Sequence, residues 1–176
     1  NVAMNAYWKG DPSDVSVNAI CGMAEASKPA IYRAFGNEDG LMLAALNHYA
    51  DGVLFDIFQI LTPERSLKET LNALIHFSSQ DPKMETGCLF YKMRAGKHRL
   101  GPQTLQRINE IDAVAVDTFT AYLEKCRASG EWESEVPSSS MARYLVEQIG
   151  LAFTQRAAGE DHAQVQQSMS IALSVF

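Results

Sequence analysis

The sequence predicts an all-α protein, and three observations favour this class. Apolar residues recur at spacings of three and four through most of the 176 residues, which is the periodicity of amphipathic helices. Neither Asn-Gly nor Asp-Gly occurs as a hairpin turn between two alternating apolar runs, and no long alternating run is present. Proline and glycine fall at intervals that suit helix ends.

The first third of the chain is predicted to hold four helices. Residues 1–8 are interpreted as the last turns of a helix whose beginning is missing, and residues 10–13 as a turn. Short helices are expected over 17–24 and 28–35, and a longer one begins after Asn37 and runs to Leu61. Each is preceded by a residue whose side chain can cap a helix N-terminus: Ser16, Ser27 and Asn37.

The rest of the chain is predicted to form a helical bundle. Pro63, Pro82, Pro102 and Gly130 separate the apolar stripes and suit the ends of helices. The expected helices cover residues 66–79, 86–95, 101–129, 139–158 and 161–176. With a first helix restored upstream, the chain would hold about nine.

Residues 17–35 have the pattern of a helix-turn-helix. Two short helices are joined by a turn of about three residues, and apolar contacts between them are expected from Ile20, Ala24, Ile31 and Phe35. The second helix begins with Ser27-Lys28-Pro29-Ala30, whose small and cationic side chains can approach base edges in a major groove. The exposed N–H groups at such a helix start can meet a phosphate.

These residues resemble the tetracycline-repressor (TetR) family of bacterial transcription regulators. The resemblance rests on Ser27-Lys28-Pro29-x-x-Tyr32-Arg33-x-Phe35, on Ser16-Val17-x-x-Ile20, and on Gly36-x-x-Asp39-x-Leu41. It implies an N-terminal three-helix DNA-binding domain over residues 1–50, with its first helix mostly missing. It also implies a C-terminal ligand-binding and dimerisation domain over residues 51–176.

The resemblance implies a set of DNA contacts. Ser16 and Tyr32 are expected at phosphate or sugar, Arg33 adds charge, and N–H groups near Asn37 clamp another phosphate. The base-approaching positions are Lys28, Pro29 and Ala30. The complete predicted DNA-binding set is Ser16, Ser27, Lys28, Pro29, Ala30, Tyr32, Arg33 and Asn37.

The resemblance also implies an effector cavity and a homodimer. For the cavity, the candidate lining residues are aromatic and polar side chains of the middle helices: Phe58, His76, Phe90, Tyr91, Phe119 and Tyr122. For the dimer, the candidate interface is the apolar face of the last two helices: Met141, Leu145, Ile149, Phe153, Val165, Met169 and Ala172. Core packing is the alternative interpretation of both sets.

Charge and composition leave a second function class open. The chain has a formal net charge of −6, and residues 1–50 carry three cationic and five anionic side chains. Glu25 also stands where the family's turn usually has glycine, and Glu38 where many members have lysine. The alternative is therefore a helical small-molecule- or partner-binding protein that has lost affinity for DNA, since phosphate neutralisation normally dominates binding.

Several classes find no support in the sequence. Cys21, Cys88 and Cys126 are too far apart for a zinc site or a disulfide framework, and they indicate a reducing cytoplasm. No histidine follows a carboxylate at a metal-binding spacing, and no catalytic motif is present, so neither a metal, a cofactor nor an enzyme is predicted. No apolar run reaches the ~18 residues of a membrane span.

Overall fold

The computed structural model describes residues 1–176 and confirms the all-α class. Its helices are α1 (Val2–Lys9), α2 (Val17–Met23), α3 (Lys28–Phe35), α4 (Glu38–Tyr49), α5 (Phe55–Phe58), α6 (Leu67–Gln80), α7 (Leu89–Ala95), α8 (Pro102–Ala128), α9 (Ser138–Ala157) and α10 (His162–Ala172). A π-helical turn (Ala50–Leu54) joins α4 to α5. Single 3₁₀ turns cover Pro82–Met84, Lys97–Arg99 and Leu173–Val175.

The predicted caps begin the helices as expected. The side-chain oxygens of Ser16, Ser27 and Asn37 each accept a hydrogen bond from a backbone N–H three residues later, which satisfies a group that the helix itself leaves unpaired. Ser66 adds a capping box with Glu69 at the start of α6.

Two predicted helices are shorter than the sequence suggested. The helix expected to run from Asn37 to Leu61 changes to π-helical geometry at Ala50, where the weak helix formers Asp51 and Gly52 follow. The helix expected over 86–95 begins only at Leu89, because Gly87 adopts a φ of +76°. A Cβ at Gly87 would lie 2.8 Å from the carbonyl oxygen of Phe153, so this close approach requires glycine.

The chain divides into two compact units. The first contains residues 1–55 and 88–110, and the second contains residues 56–87 and 111–176. The long helix α8 begins in the first unit and ends in the second. Because residues 88–110 pack with the N-terminal helices, the packing units differ from the predicted division after residue 50, which remains a prediction about function.

Each unit has its own apolar core. In the first, α1, α2, α3 and α7 pack on or near α4, around fully buried side chains that include Tyr7, Leu46, Tyr49, Leu89 and Met93. In the second, α6, α9 and α10 pack together around Leu74, Leu145, Phe153, Val165 and Met169. No helix of either unit combines the length and apolarity that crossing a membrane requires.

Candidate nucleic-acid interface

Helices α2 and α3 form the predicted helix-turn-helix. Ile20 and Ile31 are buried and hold the two helices together, as their spacing predicts. Phe35, the last residue of α3, is 40% exposed and so is less buried than its spacing predicts.

The turn between α2 and α3 is strained at Glu25. Its φ of +50° makes it the one non-glycine residue with a positive φ in the chain. The backbone N–H of Ala26 donates to the carbonyl of Cys21 at 3.0 Å and closes the end of α2 around it. A left-handed conformation is unfavourable for a residue with a Cβ, as the comparison with the family's usual glycine led us to expect.

The first turns of α3 present an accessible, cationic surface. Five residues of this region are exposed: Ser27, Lys28, Pro29, Ala30 and Arg33. The predicted base-approaching residues are therefore not part of the protein core. Neither Lys28 nor Arg33 forms an ion pair within the chain. Their charges are therefore available to an external anion.

Tyr32 lies beside this cationic surface. It is half-buried, and the Lys28 ammonium lies 5.4 Å from the centroid of its ring, within the range of a cation–π interaction. Lys28 and Tyr32, four residues apart, are thus neighbours on one face of α3.

The two helix N-termini on either side of α3 have donors to spare. The Ser16 hydroxyl accepts from the N–H of Ala19 at 3.2 Å, and the Asn37 side-chain oxygen accepts from the N–H of Gly40 at 2.9 Å. Both residues are exposed. Capping uses their oxygen lone pairs, so the Ser16 O–H and the Asn37 amide N–H groups can still donate to phosphate.

Two contacts that position this surface were not predicted from the sequence. The Asp39 carboxylate, in the first turn of α4, accepts from the N–H of Gln103 at 2.9 Å and of Thr104 at 3.1 Å. The Lys92 ammonium of α7 donates to the carbonyls of Trp8 and Gly10 at 2.7 and 3.1 Å, at the end of α1. The partners lie more than 60 residues apart in sequence. Short-range spacing therefore could not predict either contact.

Burial and hydrogen bonding act on these two groups in different ways. Burial opposes ionisation of Asp39, but the hydrogen bonds from Thr104 and from the N–H of Gln103 outweigh it and lower the pKa of the carboxyl. Burial lowers the pKa of the Lys92 ammonium, with nearby Asp11 opposing that effect.

The six predicted cavity residues are divided between the two units. Phe90 and Tyr91 lie in the first unit with ring centroids 5.0 Å apart, whereas the other four lie in the second. There the rings of Phe58 and Phe119 lie 6.5 Å apart, and Phe119 belongs to the core.

His76 and Tyr122 have separate environments. His76 is exposed on α6, so it lines no enclosed cavity. The Tyr122 hydroxyl bonds to the Thr70 Oγ1 at 2.7 Å, and burial raises its pKa to about 12. Tyr122 borders a cavity of about 300 Å³ with Leu61 and Cys126, and it is the one predicted residue that does so.

Six of the seven residues predicted for the dimer interface are buried within the single chain. These six side chains are at most 8% exposed in the single chain and form the core of the second unit: Met141, Leu145, Ile149, Phe153, Val165 and Met169. The apolar stripe that the sequence presents packs against α6 within the same chain. Only Ala172, the seventh, is half-buried and retains some accessible surface.

The fold is shared with solved transcription regulators. The structure of the TetR-family transcriptional regulator CifR, a cysteine mutant complexed with 26-base-pair operator DNA, superposes with a TM-score of 0.78. The two sequences are 16% identical, and the match covers 99% of this chain and 93% of CifR.

Two further solved structures have the same fold as this chain. The reduced form of NemR from Escherichia coli matches at a TM-score of 0.77 and 15% identity, over 98% of this chain and 96% of NemR. A TetR-family transcriptional regulator from Streptomyces coelicolor matches at a TM-score of 0.76 and 16% identity. The match covers 97% of this chain and 87% of that regulator. No family model and no curated protein sequence matches the chain. The likeness is therefore one of tertiary structure: this chain has the fold of the TetR-family transcriptional regulators.

Proposed function

We propose that this protein is a TetR-family transcriptional regulator that binds operator DNA through α3. The observation that carries the proposal is the exposed face of α3, where Lys28 and Arg33 have no anionic partner. The fold match to a regulator complexed with operator DNA supports it. In this interpretation α3 enters the major groove, while Ser16 and Asn37 donate to phosphates on either side. Such a protein acts in the bacterial cytoplasm, where the chromosome lies.

The proposed active form is a homodimer. Two copies of α3 would read half-sites in successive major grooves, about 34–36 Å apart. Residues 162–176 contain no Lys, Arg, Asp or Glu, although Ile171 and Val175 are 67% and 58% exposed. Charged residues are depleted at the core of protein interfaces, so the exposed apolar surface of α10 and of the C-terminal turn is the candidate contact with a second copy.

The proposed regulation is release of DNA when a small molecule binds the second unit. This unit contains a cavity of about 380 Å³, within the size range of ligand sites. Its walls combine apolar side chains of α6 and of the C-terminal residues 173–176 with polar ones that include Asn72 and Glu131. A small molecule that binds one conformation better would shift the equilibrium, with a coupling of about 1–3 kcal/mol.

Selection of duplexes from a random pool, followed by gel-shift titration, tests the DNA-binding proposal. Lys28→Ala and Tyr32→Phe are expected to weaken binding to the selected duplex while circular dichroism and thermal unfolding stay unchanged. Lys68→Ala, an exposed lysine on α6 in the second unit, is the matched control. Unchanged affinity in both α3 variants would refute the roles assigned to them.

A second candidate function is a ligand-binding or partner-binding protein without DNA affinity. Glu25 and Glu38 are exposed beside α3, and they favour this alternative by repelling phosphate. Recovery of no enriched duplex by the wild-type protein at low salt would support it. Enrichment of a palindromic duplex would exclude it.

A further inference from the structure

The densest positive charge in the chain lies outside the helix-turn-helix, in residues 92–99. Four cationic residues fall within eight positions that contain no Asp or Glu: Lys92, Arg94, Lys97 and Arg99. His98, in the same segment, adds a titratable group. In a chain of net charge −6, this segment is a local exception. The position of this segment in the fold determines which anionic groups can reach it.

Folding brings this segment into the same unit as the helix-turn-helix. Residues 1–55 carry three Lys or Arg and six Asp or Glu, a net charge of −3, whereas residues 88–110 carry five and one, a net charge of +4. The first unit is therefore at +1 although its N-terminal segment is acidic. The second unit, with seven cationic and fourteen anionic side chains, is at −7.

Only the end of the segment is free to bind a partner. The Lys92 ammonium is occupied by the carbonyls of Trp8 and Gly10, and the Arg94 guanidinium lies 5.8 Å from the ring centroid of Tyr91. In contrast, the 3₁₀ turn Lys97–Arg99 exposes all three of its side chains. We call this turn the basic tip.

One side of the basic tip lies close to the N-terminus of α4. Gly101 packs so tightly on Asp39 that a Cβ would overlap the carboxylate, and Asp39 lies two residues after the α4 cap Asn37. Lys97 precedes Gly101 by four residues, so their Cα atoms are at most about 14 Å apart. The basic tip is thus within a short distance of one proposed phosphate contact.

The other side of the basic tip faces the turn before α2. His98 and Arg99 line a cavity of about 250 Å³ together with Asp11, Pro12 and Ser13. This turn leads to Ser16, the cap of α2 and the second proposed phosphate contact. The basic tip therefore lies in the same unit as both helix N-termini that are proposed to contact the DNA backbone, between the start of α8 and the turn before α2.

We propose that the basic tip is an additional DNA contact, which binds backbone phosphates beside those held by α2 and α4. This inference rests on the proposed DNA-binding function. Lys97 and Arg99 supply the cationic, sequence-independent contacts that fix a protein on the duplex, which the acidic residues 1–55 lack. The fold thus offsets the acidity of the helix-turn-helix segment with charge from a distant part of the chain.

The double variant Lys97→Gln/Arg99→Gln tests the proposal. Binding is measured from 50 to 200 mM salt on a duplex selected by the wild type and on an unrelated duplex of equal length. Each phosphate contact contributes about 0.9 to the slope of log affinity against log salt, so two lost contacts lower the slope by roughly 1.8. The fourfold rise in salt should then weaken wild-type binding roughly tenfold more than it weakens the variant. The effect should be equal on both duplexes.

The matched control is Lys68→Gln/Lys125→Gln, which removes the same charge from exposed positions of the second unit. We expect the control to retain the wild-type slope. A wild-type slope in the tip variant, or a slope equally reduced in the control, overturns this inference but leaves the proposed function standing. If the tip variant instead loses self-association in sedimentation at an unchanged slope, the tip binds the acidic unit of another copy and the inference is wrong. If the wild type binds neither duplex at 50 mM salt, the proposed function fails as well.

Discussion

The carboxylate of Asp39 caps α8 by bonding to Thr104, which lies in the first turn of that helix. It accepts one hydrogen bond from the Thr104 hydroxyl at 2.6 Å and another from the Thr104 backbone N–H at 3.1 Å, 65 residues away in sequence. A negative charge at a helix N-terminus is favourable because the first N–H groups have no partner inside the helix. The contact ties α4, which follows α3, to α8, which continues into the second unit.

Asp39→Asn is expected to lower the free energy of unfolding by about 1 kcal/mol at pH 7, the usual value of a helix cap. The hydrogen bonds hold the pKa of Asp39 below its usual range, so its contribution is present above the unfolded value near 4 and is lost as pH falls through the folded value. Urea denaturation from pH 7 to 3 should show the difference between the two proteins narrowing as the pH falls below about 4. Asp14→Asn, an exposed control, should track the wild type. A difference that stays constant from pH 7 to 3 would contradict the assignment.

Two substitutions at Glu25 separate backbone strain from charge. Glu25→Gly removes the penalty of a Cβ at φ +50° and should raise the free energy of unfolding by about 0.5–1 kcal/mol, after the greater freedom of glycine in the unfolded chain is deducted. Glu25→Gln retains the strain and should leave stability unchanged. Both variants should bind DNA more tightly than the wild type, since both remove a carboxylate beside α3. Equal stabilisation by the two variants would show that charge, not strain, is responsible.

The thiol of Cys88 should be inert in the folded protein. Burial raises its pKa to about 11, although hydrogen bonds to the thiolate, the largest from Tyr49, act in the opposite direction. Since the thiolate is the reactive form, a disulfide reagent at pH 8 should modify half-buried Cys21 first and Cys88 only after unfolding. Cys21→Ser should abolish the fast phase, and Cys88→Ser should leave it unchanged. A fast phase that survives in Cys21→Ser would contradict this.

Ile171→Glu should dissociate the proposed dimer. Ile171 is 67% exposed in the single chain, so the substitution is tolerated in the monomer but places an unpaired carboxylate in the interface. The dimer dissociation constant should rise at least about tenfold, equivalent to about 1.4 kcal/mol, in sedimentation velocity. Val114→Glu, at a 53% exposed position on α8, is the matched control. Dissociation by both variants, or by neither, would argue against an interface on α10.

Leu145→Ala should act on folding rather than on assembly. Leu145 is 1% exposed within the second unit, and truncation of a buried leucine lowers the free energy of unfolding by about 2–5 kcal/mol. Denaturation at several protein concentrations would measure this loss. A loss that appears only at concentrations where dimers form would return Leu145 to the interface.

Short-range patterns in the sequence were enough to predict the helices of this protein and the exposed start of α3. The caps at Ser16, Ser27 and Asn37 act over three residues, and the exposed start of α3 follows from its polar and small residues, so both could be predicted from neighbours in sequence. Burial of Ile20 and Ile31 followed from spacing for the same reason.

Tertiary packing decided which partner each apolar face meets. An apolar stripe such as Leu145–Ile149–Phe153 is equally suited to a second copy or to the same chain, because the hydrophobic effect has no direction; the position of α6 assigns it to the core. The same holds for charge. Asp39 meets Thr104, and the basic tip reaches the acidic N-terminal helices, only because α8 and the turn before it pack on α4, a contact that no spacing along the chain encodes.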